Sequence, residues 1–389
     1  MDRRSFLLGT IGLGVTLSGC SNPNQPTLRV RLLKNSIPGQ LTNAFRNQLT
    51  EFKGANLDFK PEEQLQSLFS ALQLWKQQPT QPAPQSSPSI PFLNRNADPV
   101  PDLITIGDYW LATAIQQNLI LPLQPSDWQL WNQLPEKWRS LVTRSAQGEL
   151  IKTGQVWAAP YRWGSTIIAY RTDIFRDRNL KPPIDWSDLW REDLRGRISL
   201  LDNPRETIGL VLKKLGQSYN TLDLSKVANL ETELRSLHRQ AKFYSSDSYL
   251  QPLILDDTWV AVGYSTDVLP LMRRNRDLAA VFPASGTALS TDLWVRPATA
   301  STPSKLMAQW INFCWQPEIA PQLSLISQAA SPILSTLDAK TLSQPLRDNS
   351  ILVPDADLLL RKSEFLQPIA QTAIEQYRSL WSRIRQTTA

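Results

Sequence analysis

Apolar and polar residues alternate at the start of the patterned chain: Leu28, Val30 and Leu32 stand against Arg29 and Arg31. A period of two marks a half-buried strand. The period then lengthens, and Leu41, Phe45, Leu49 and Phe52 fall on one helical face. Leu57 and Phe59 predict a second short strand, and Leu65, Leu68, Leu72 and Trp75 a second helix. The compact run 102–107 predicts a third strand, followed by a helix carrying Leu111, Ile115 and Leu119. This alternation implies an α/β fold with a mostly parallel sheet covered by helices. Further strands are expected at 165–170, 197–201, 259–263, 278–283 and 292–296. A helix is expected at 206–215, and Val227, Leu230, Leu234 and Leu237 form another helical stripe. The pattern reads as two α/β units in series with a helical tail, and no repeat of fixed period interrupts it.

Two segments do not fit the pattern. Residues 79–101 hold Pro79, Pro82, Pro84, Pro88, Pro91, Pro99 and Pro101 with Gln and Ser between them. Such a stretch cannot pack a core and is expected to be an extended surface loop. Residues 1–20 read as an address. Arg3 and Arg4 form a charged head, and an apolar run over 6–17 is too short to span a bilayer comfortably. Leu17-Ser18-Gly19-Cys20 then resembles a bacterial lipoprotein box, with Cys20 as the lipidated first residue of the mature chain. The Arg-Arg-x-Phe-Leu run also resembles a twin-arginine export signal, although Leu8 stands where a basic residue is usual. The expected location is periplasmic, with membrane contact only through a lipid at Cys20.

Composition narrows the chemistry. The 389 residues include one histidine and two cysteines. That excludes histidine-rich metal sites, zinc knuckles, iron–sulfur sites and a disulfide framework. Neither GxxxxGK[ST] nor GxGxxG occurs. The expectation is no cofactor and no metal. The net charge of +6 is interleaved with acids along the chain, so nucleic acid is not an expected partner. Cys314, inside MAQWINFCW, reads as a buried apolar residue. His238 lies beside the helical stripe and reads as a solvated histidine. The 14 tryptophans need another account. Trp186, Trp190, Trp310 and Trp315 read as packing, while Trp128, Trp131 and Trp138 have no place assigned by the pattern.

Four segments carry a resemblance: PDLITIGDYWLATAIQQNLILPL, WAAPYRWGSTIIAYRTDIF, DWSDLWREDLRGRISLLDNPRETIGLVLKKLGQSYNT and WVAVGYSTDVLPLMRRN. Together with GTALSTDLWVRP at 286–297 they resemble the periplasmic spermidine/putrescine-binding proteins of ABC importers, over most of residues 28–330. The resemblance implies a bilobed α/β fold of the periplasmic-binding-protein type with ligand held between the lobes. It implies a first lobe of 28–168 plus 291–325 and a second of 169–290 plus 326–389. It further implies a monomer that carries a small amine to an ABC transporter permease and performs no catalysis.

Binding a polyamine needs carboxylates for its ammonium groups and aromatic faces for its methylenes. The carboxyl ends of strands are the place to look. By the resemblance, Asp292 is the principal amine-binding acid, Glu206 a second, and Tyr264 stands where the family has a stacking tryptophan. Asn203 occupies a position that is acidic in the family. Asp108 lies where the family has an aromatic, and it reads equally as a cap for the helix after it. Glu206 has its own alternative, since Asn203, Pro204 and Glu206 make a helix-start signature like a capping box. Trp163 completes the candidate set. Two family aromatics are missing, with Ser290 at one position and only Leu33 or Lys34 at the other. Arg162, beside Trp163, either forms a salt bridge at the lobe junction or faces the cleft, where it would repel a diamine or pair with a ligand carboxylate. Other readings therefore stay open: a zwitterionic or anionic ligand, or a sensor or assembly role without transport. An enzymatic reading has little to stand on, because His238 is remote from the strand ends and no G-x-S-x-G elbow occurs.

Overall fold

The computed structural model describes residues 26–77, 99–301 and 303–386. The leader with Cys20, and nearly all of the proline-rich stretch expected as a surface loop, lie outside the described residues. The opening run of the fold follows the sequence pattern closely: β1 (Thr27–Leu33), α1 (Gly39–Gln48), β2 (Asn56–Glu62), α2 (Leu65–Gln77), β3 (Leu103–Gly107) and α3 (Leu111–Gln116). Short strands β4 (Ile120–Leu121), β5 (Thr143–Arg144) and β6 (Gln155–Val156) flank α4 (Glu136–Val142). The long strand β7 (Ala159–Arg171) leads to α5 (Thr172–Asp177), β8 (Ile198–Leu200), α6 (Pro204–Lys214), α7 (Leu230–Gln240) and β9 (Ala241–Tyr244). Then follow α8 (Gln251–Ile254), β10 (Val260–Tyr264), α9 (Ser265–Met272), β11 (Leu278–Val281) and β12 (Ala288–Pro297). The tail holds α10 (Lys305–Trp315), α11 (Ala320–Ser327), α12 (Gln344–Arg347), β13 (Glu364–Phe365) and α13 (Gln371–Gln386).

The main sheet runs β2-β1-β3-β12-β7-β10-β8-β9. Its two flanks are parallel, β1 with β2 and β3, and β8 with β9 and β10. The centre is antiparallel, because β12 pairs with both β3 and β7, and β7 with both β10 and β11. The expectation of a mostly parallel sheet therefore holds only within each flank. The reason is the crossing itself: β7 pairs with β12 as far as Ser165 and with β10 from Thr166 onward. A single 13-residue strand thus belongs to both lobes, which a run of local periodicities does not reveal.

Apolar side chains gather in three cores. One lies under β1, β3 and α10 and absorbs Trp294, Trp310 and Trp315. Trp128 and Trp131, unassigned by the pattern, pack edge-on and tilted against Trp315 at 5.4 and 6.3 Å between ring centroids. A second core lies under α6, α7 and α13 and takes Trp186, whose Nε1 donates to the Gly286 carbonyl at 2.8 Å. The third sits where the chain crosses, joining Trp138 and Trp163 to α9 and to residues between Ala330 and Phe365. Two local expectations are corrected. Val227 precedes the helix it was grouped with, because a left-handed Asn229 (φ 62°) starts α7 one residue later. His238 is buried rather than solvated, its Nδ1 3.1 Å from the Tyr244 hydroxyl. Strand β9, which forms next to α7, supplies that cover.

Candidate functional site: a cleft between the lobes

The strand ends converge on a cavity of about 1260 Å³ lined by both lobes. Every predicted site residue borders it: Asp108, Trp163, Asn203, Glu206, Tyr264 and Asp292. How they face it differs.

On the β3/β12 wall the charges are already satisfied. Asp292 lies directly across from Arg162 in the antiparallel pairing of β12 with β7. The Arg162 Nε donates to Asp292 Oδ2 at 2.6 Å, with the two side chains 7 % and 14 % exposed. Burial alone would lower the Arg162 pKa, but Asp292 and Tyr161 outweigh it and hold the guanidinium charged. Arg162 is therefore a salt bridge and a cleft residue at once, and Asp292 is not the free acid that the resemblance implies. Asp108 is buried, and its Oδ1 accepts the Thr291 backbone N–H at 3.0 Å. It lies inside a short 3-10 turn (Asp108–Trp110) whose N-cap is Gly107, so capping is not its role. Burial pushes its carboxyl up to about 7, against the pull of the Thr291 N–H and the buried Arg144.

On the α6/α9 wall the acids have no cation in ion-pair contact. Asn203 caps α6, its Oδ1 accepting the N–H groups of Arg205 and Glu206 at 3.0 and 3.4 Å, with Pro204 at the first helical position. This much of the helix-start signature is realised. The Glu206 carboxylate instead accepts the Thr166 hydroxyl at 2.9 Å. Glu206 is 6 % exposed, and burial pushes its carboxyl up to about 7. Arg205 turns away to the carbonyls of Tyr219 and Gln367 and to Asn220. Tyr264, at the end of β10, is half-buried. Burial first, then Glu206, Asp267 and Tyr109, raise its phenol pKa, against a smaller lowering by the Asn203 side chain.

Two residues that pattern reasoning did not single out also belong here. Tyr109 is 51 % exposed, resting on Trp110 (4.4 Å between centroids), which itself stacks on Phe69 at 4.9 Å and 13°. Its signal was its place directly after the third strand. Asp267 is exposed on the first turn of α9 and borders the cavity. Its Oδ2 accepts the Tyr249 hydroxyl at 2.5 Å, and the same hydroxyl accepts the Tyr264 N–H at 3.1 Å. Gly263 makes this possible, since a Cβ there would come within 1.9 Å of the Tyr249 ring. The signal for Asp267 was an acid three residues after Tyr264. Trp163, by contrast, is 3 % exposed with its ring packed on Trp138 at 5.9 Å, and its backbone pairs with Ala330. Its aromatic face goes to the core, which corrects the expectation of a ligand contact. Ser290 and Leu33 line the cavity where the resemblance implied aromatics, and Lys34 is held by Glu63 at 2.6 Å. No group of His, Cys, Asp and Glu among the described residues could hold a metal ion. Nor is any helix among them long and apolar enough to cross a membrane.

Two α/β lobes joined by shared strands, with a large cleft at the strand ends lined by acids and tyrosines, define a binding protein that encloses a small solute. The sequence profile described as "Bacterial extracellular solute-binding protein" matches residues 98–362, and the chain belongs to that family. It is 24% identical over 285 residues to spermidine/putrescine-binding periplasmic protein 1 of Haemophilus influenzae, covering 73% of this chain and 74% of that one. Identity to the spermidine/putrescine-binding periplasmic protein of Escherichia coli is 26% over 203 residues, covering 52% of this chain and 57% of that one. The fold matches the spermidine/putrescine ABC transporter substrate-binding protein PotD of Streptococcus pneumoniae with a TM-score of 0.75 at 19% identity. That match covers 92% of this chain and 98% of the other.

Proposed function

We propose that this protein is the extracytoplasmic receptor of an ABC importer for polyamine-like cations of the putrescine and spermidine type. One observation carries the reading: buried Glu206 and exposed Asp267 flank Tyr264 in the cleft, and neither forms an ion pair. A buried carboxylate without a cation is costly, and a ligand ammonium would offset that cost. Tyr264 and Tyr109 offer aromatic faces to a cation or a methylene chain, each contact contributing roughly 0.5–2 kcal/mol. The names of the relatives point the same way. Closure of the lobes over the ligand would form the surface that a permease recognises. A monomer suffices for this task. We take the lobes to divide near 168/169 and 290/291; the passage of β7 from β12 to β10 at Ser165 and Thr166 supports a boundary in this part of the chain. A lipid on Cys20, after export by a leader of twin-arginine type, would hold the receptor at the membrane; Cys20→Ser should move it from the membrane fraction to the soluble one.

The test is a thermal-shift series with putrescine, spermidine, matched zwitterions and anions. Stabilisation by the cations is expected. Stabilisation by anions alone would overturn the reading. Arg162 in the cleft wall favours a second reading, a zwitterion whose carboxylate displaces Asp292 from the guanidinium. Stabilisation by zwitterions without any by diamines would select it.

A further inference from the structure

We propose that the cleft has one ammonium seat rather than two. The seat is formed by Glu206, Tyr264 and Asp267 on the α6/α9 wall, and Arg162 cancels the second pole at Asp292. This rests on the amine-binding reading above and fixes which part of an amine the protein recognises.

The geometry on the two walls is unequal. Asp292 is engaged by a guanidinium at 2.6 Å from the neighbouring strand, and the pair is nearly enclosed. Asp108 beside it has one oxygen on the Thr291 N–H, and Arg144 lies near enough to act on it. Asp292 is thus neutralised by Arg162 and Asp108 already holds a backbone N–H, which leaves little net field there for a second ammonium. Across the cleft, Glu206 and Asp267 flank Tyr264: Glu206 is bound to Thr166, the partner of Tyr264 across β7 and β10, and Asp267 to the Tyr249 hydroxyl that accepts the Tyr264 N–H. Each accepts only a hydroxyl, from Thr166 and Tyr249 respectively. Arg162 acts on Asp267 at a distance but forms no ion pair with it. Asn203, its Oδ1 taken by the Arg205 and Glu206 N–H groups, brings no charge to this wall. Asp267 supplies the carboxylate that Asn203 does not. An ammonium placed over Tyr264 would meet both acids and the aromatic face, while the rest of the chain would extend toward a wall without net charge. The ligand class is a linear amine recognised by one ammonium terminus, for which a second ammonium adds little.

Calorimetric titration of the purified protein with butan-1-amine and 1,4-diaminobutane tests this, because the two differ by one ammonium at equal chain length. Affinities within about 10-fold of each other are expected. Asp267→Asn should weaken both by about 10- to 100-fold, and adding Asn203→Asp should recover most of the loss, which a merely structural Asp267 would not allow. Arg162→Gln, which frees Asp292, should raise the preference for the diamine by about 10-fold or more. It probes the idea independently should the Asp267 variant fail to fold. A native preference for the diamine above 100-fold, or no effect of Asp267→Asn in a folded protein, would overturn the single seat while leaving amine binding intact. No binding of either amine, nor of spermidine, would overturn both.

Discussion

The two walls of the cleft use the same residue types to opposite effect. On the β3/β12 wall, strand pairing places Asp292 opposite Arg162, and the acid is consumed by its neighbour. On the α6/α9 wall, helix starts place Glu206 and Asp267 on turns whose nearby cation, Arg205, points elsewhere. A carboxylate at a strand end is thus a ligand group only if the adjacent strand does not supply its counterion. The count of acids in a cleft says less than their partners do.

Breaking the paired wall should have the largest effect. Asp292→Asn leaves the Arg162 guanidinium buried without its counterion, and a loss of about 3–5 kcal/mol of folding stability is expected. Chemical denaturation would measure it; an unchanged midpoint would mean that the two walls are not so different. The unpaired wall should respond in binding instead. Glu206→Gln should weaken cation binding by about 10- to 100-fold, roughly 1.4–2.8 kcal/mol, while folding stability at pH 8 is kept or improved. Calorimetry and a melting curve on the same sample would separate the two effects.

Acidity gives a further contrast. Asp108 and Glu206 have folded pKa values of about 7, above their ordinary 3.8 and 4.5. A group raised on folding contributes stability that is fully present below its unfolded value and is lost as pH rises through the folded value. The unliganded melting temperature should therefore fall between about pH 4 and 7 and level off above that. A cation bound over Tyr264 keeps Glu206 ionised, so the shift induced by an amine should grow over the same interval, with a proton released from Glu206 on binding below about pH 7. A ligand-induced shift that shrinks with rising pH would contradict the arrangement. The smallest effect is expected at Tyr109, which is exposed in the cleft: Tyr109→Ala should cost about 0.5–2 kcal/mol of amine affinity and little stability.

Much of this could be read along the chain. The period changes from Thr27 to Gln116 gave the strands and helices of the first flank, since alternating and helical apolar spacing is a local property. The Asn203–Pro204 helix start was equally local. What failed was non-local. His238 is covered by β9, which pairs with β8 across some 40 positions of sequence. Trp163 faces the core because Trp138 and Ala330 meet it there. Tyr109 and Asp267 were visible as residue types at strand ends but not as neighbours of one cavity.

By itself the sequence determined an α/β chain with acids and aromatics after its strands, because periodicity and strand-end chemistry are written in short segments; solute binding was implied by the resemblance of four of those segments to a known family. Only the tertiary structure decided which acids remain open to a ligand. The long strand β7 brings Arg162 to Asp292, 130 residues away, and no local pattern records which charges the fold will set side by side.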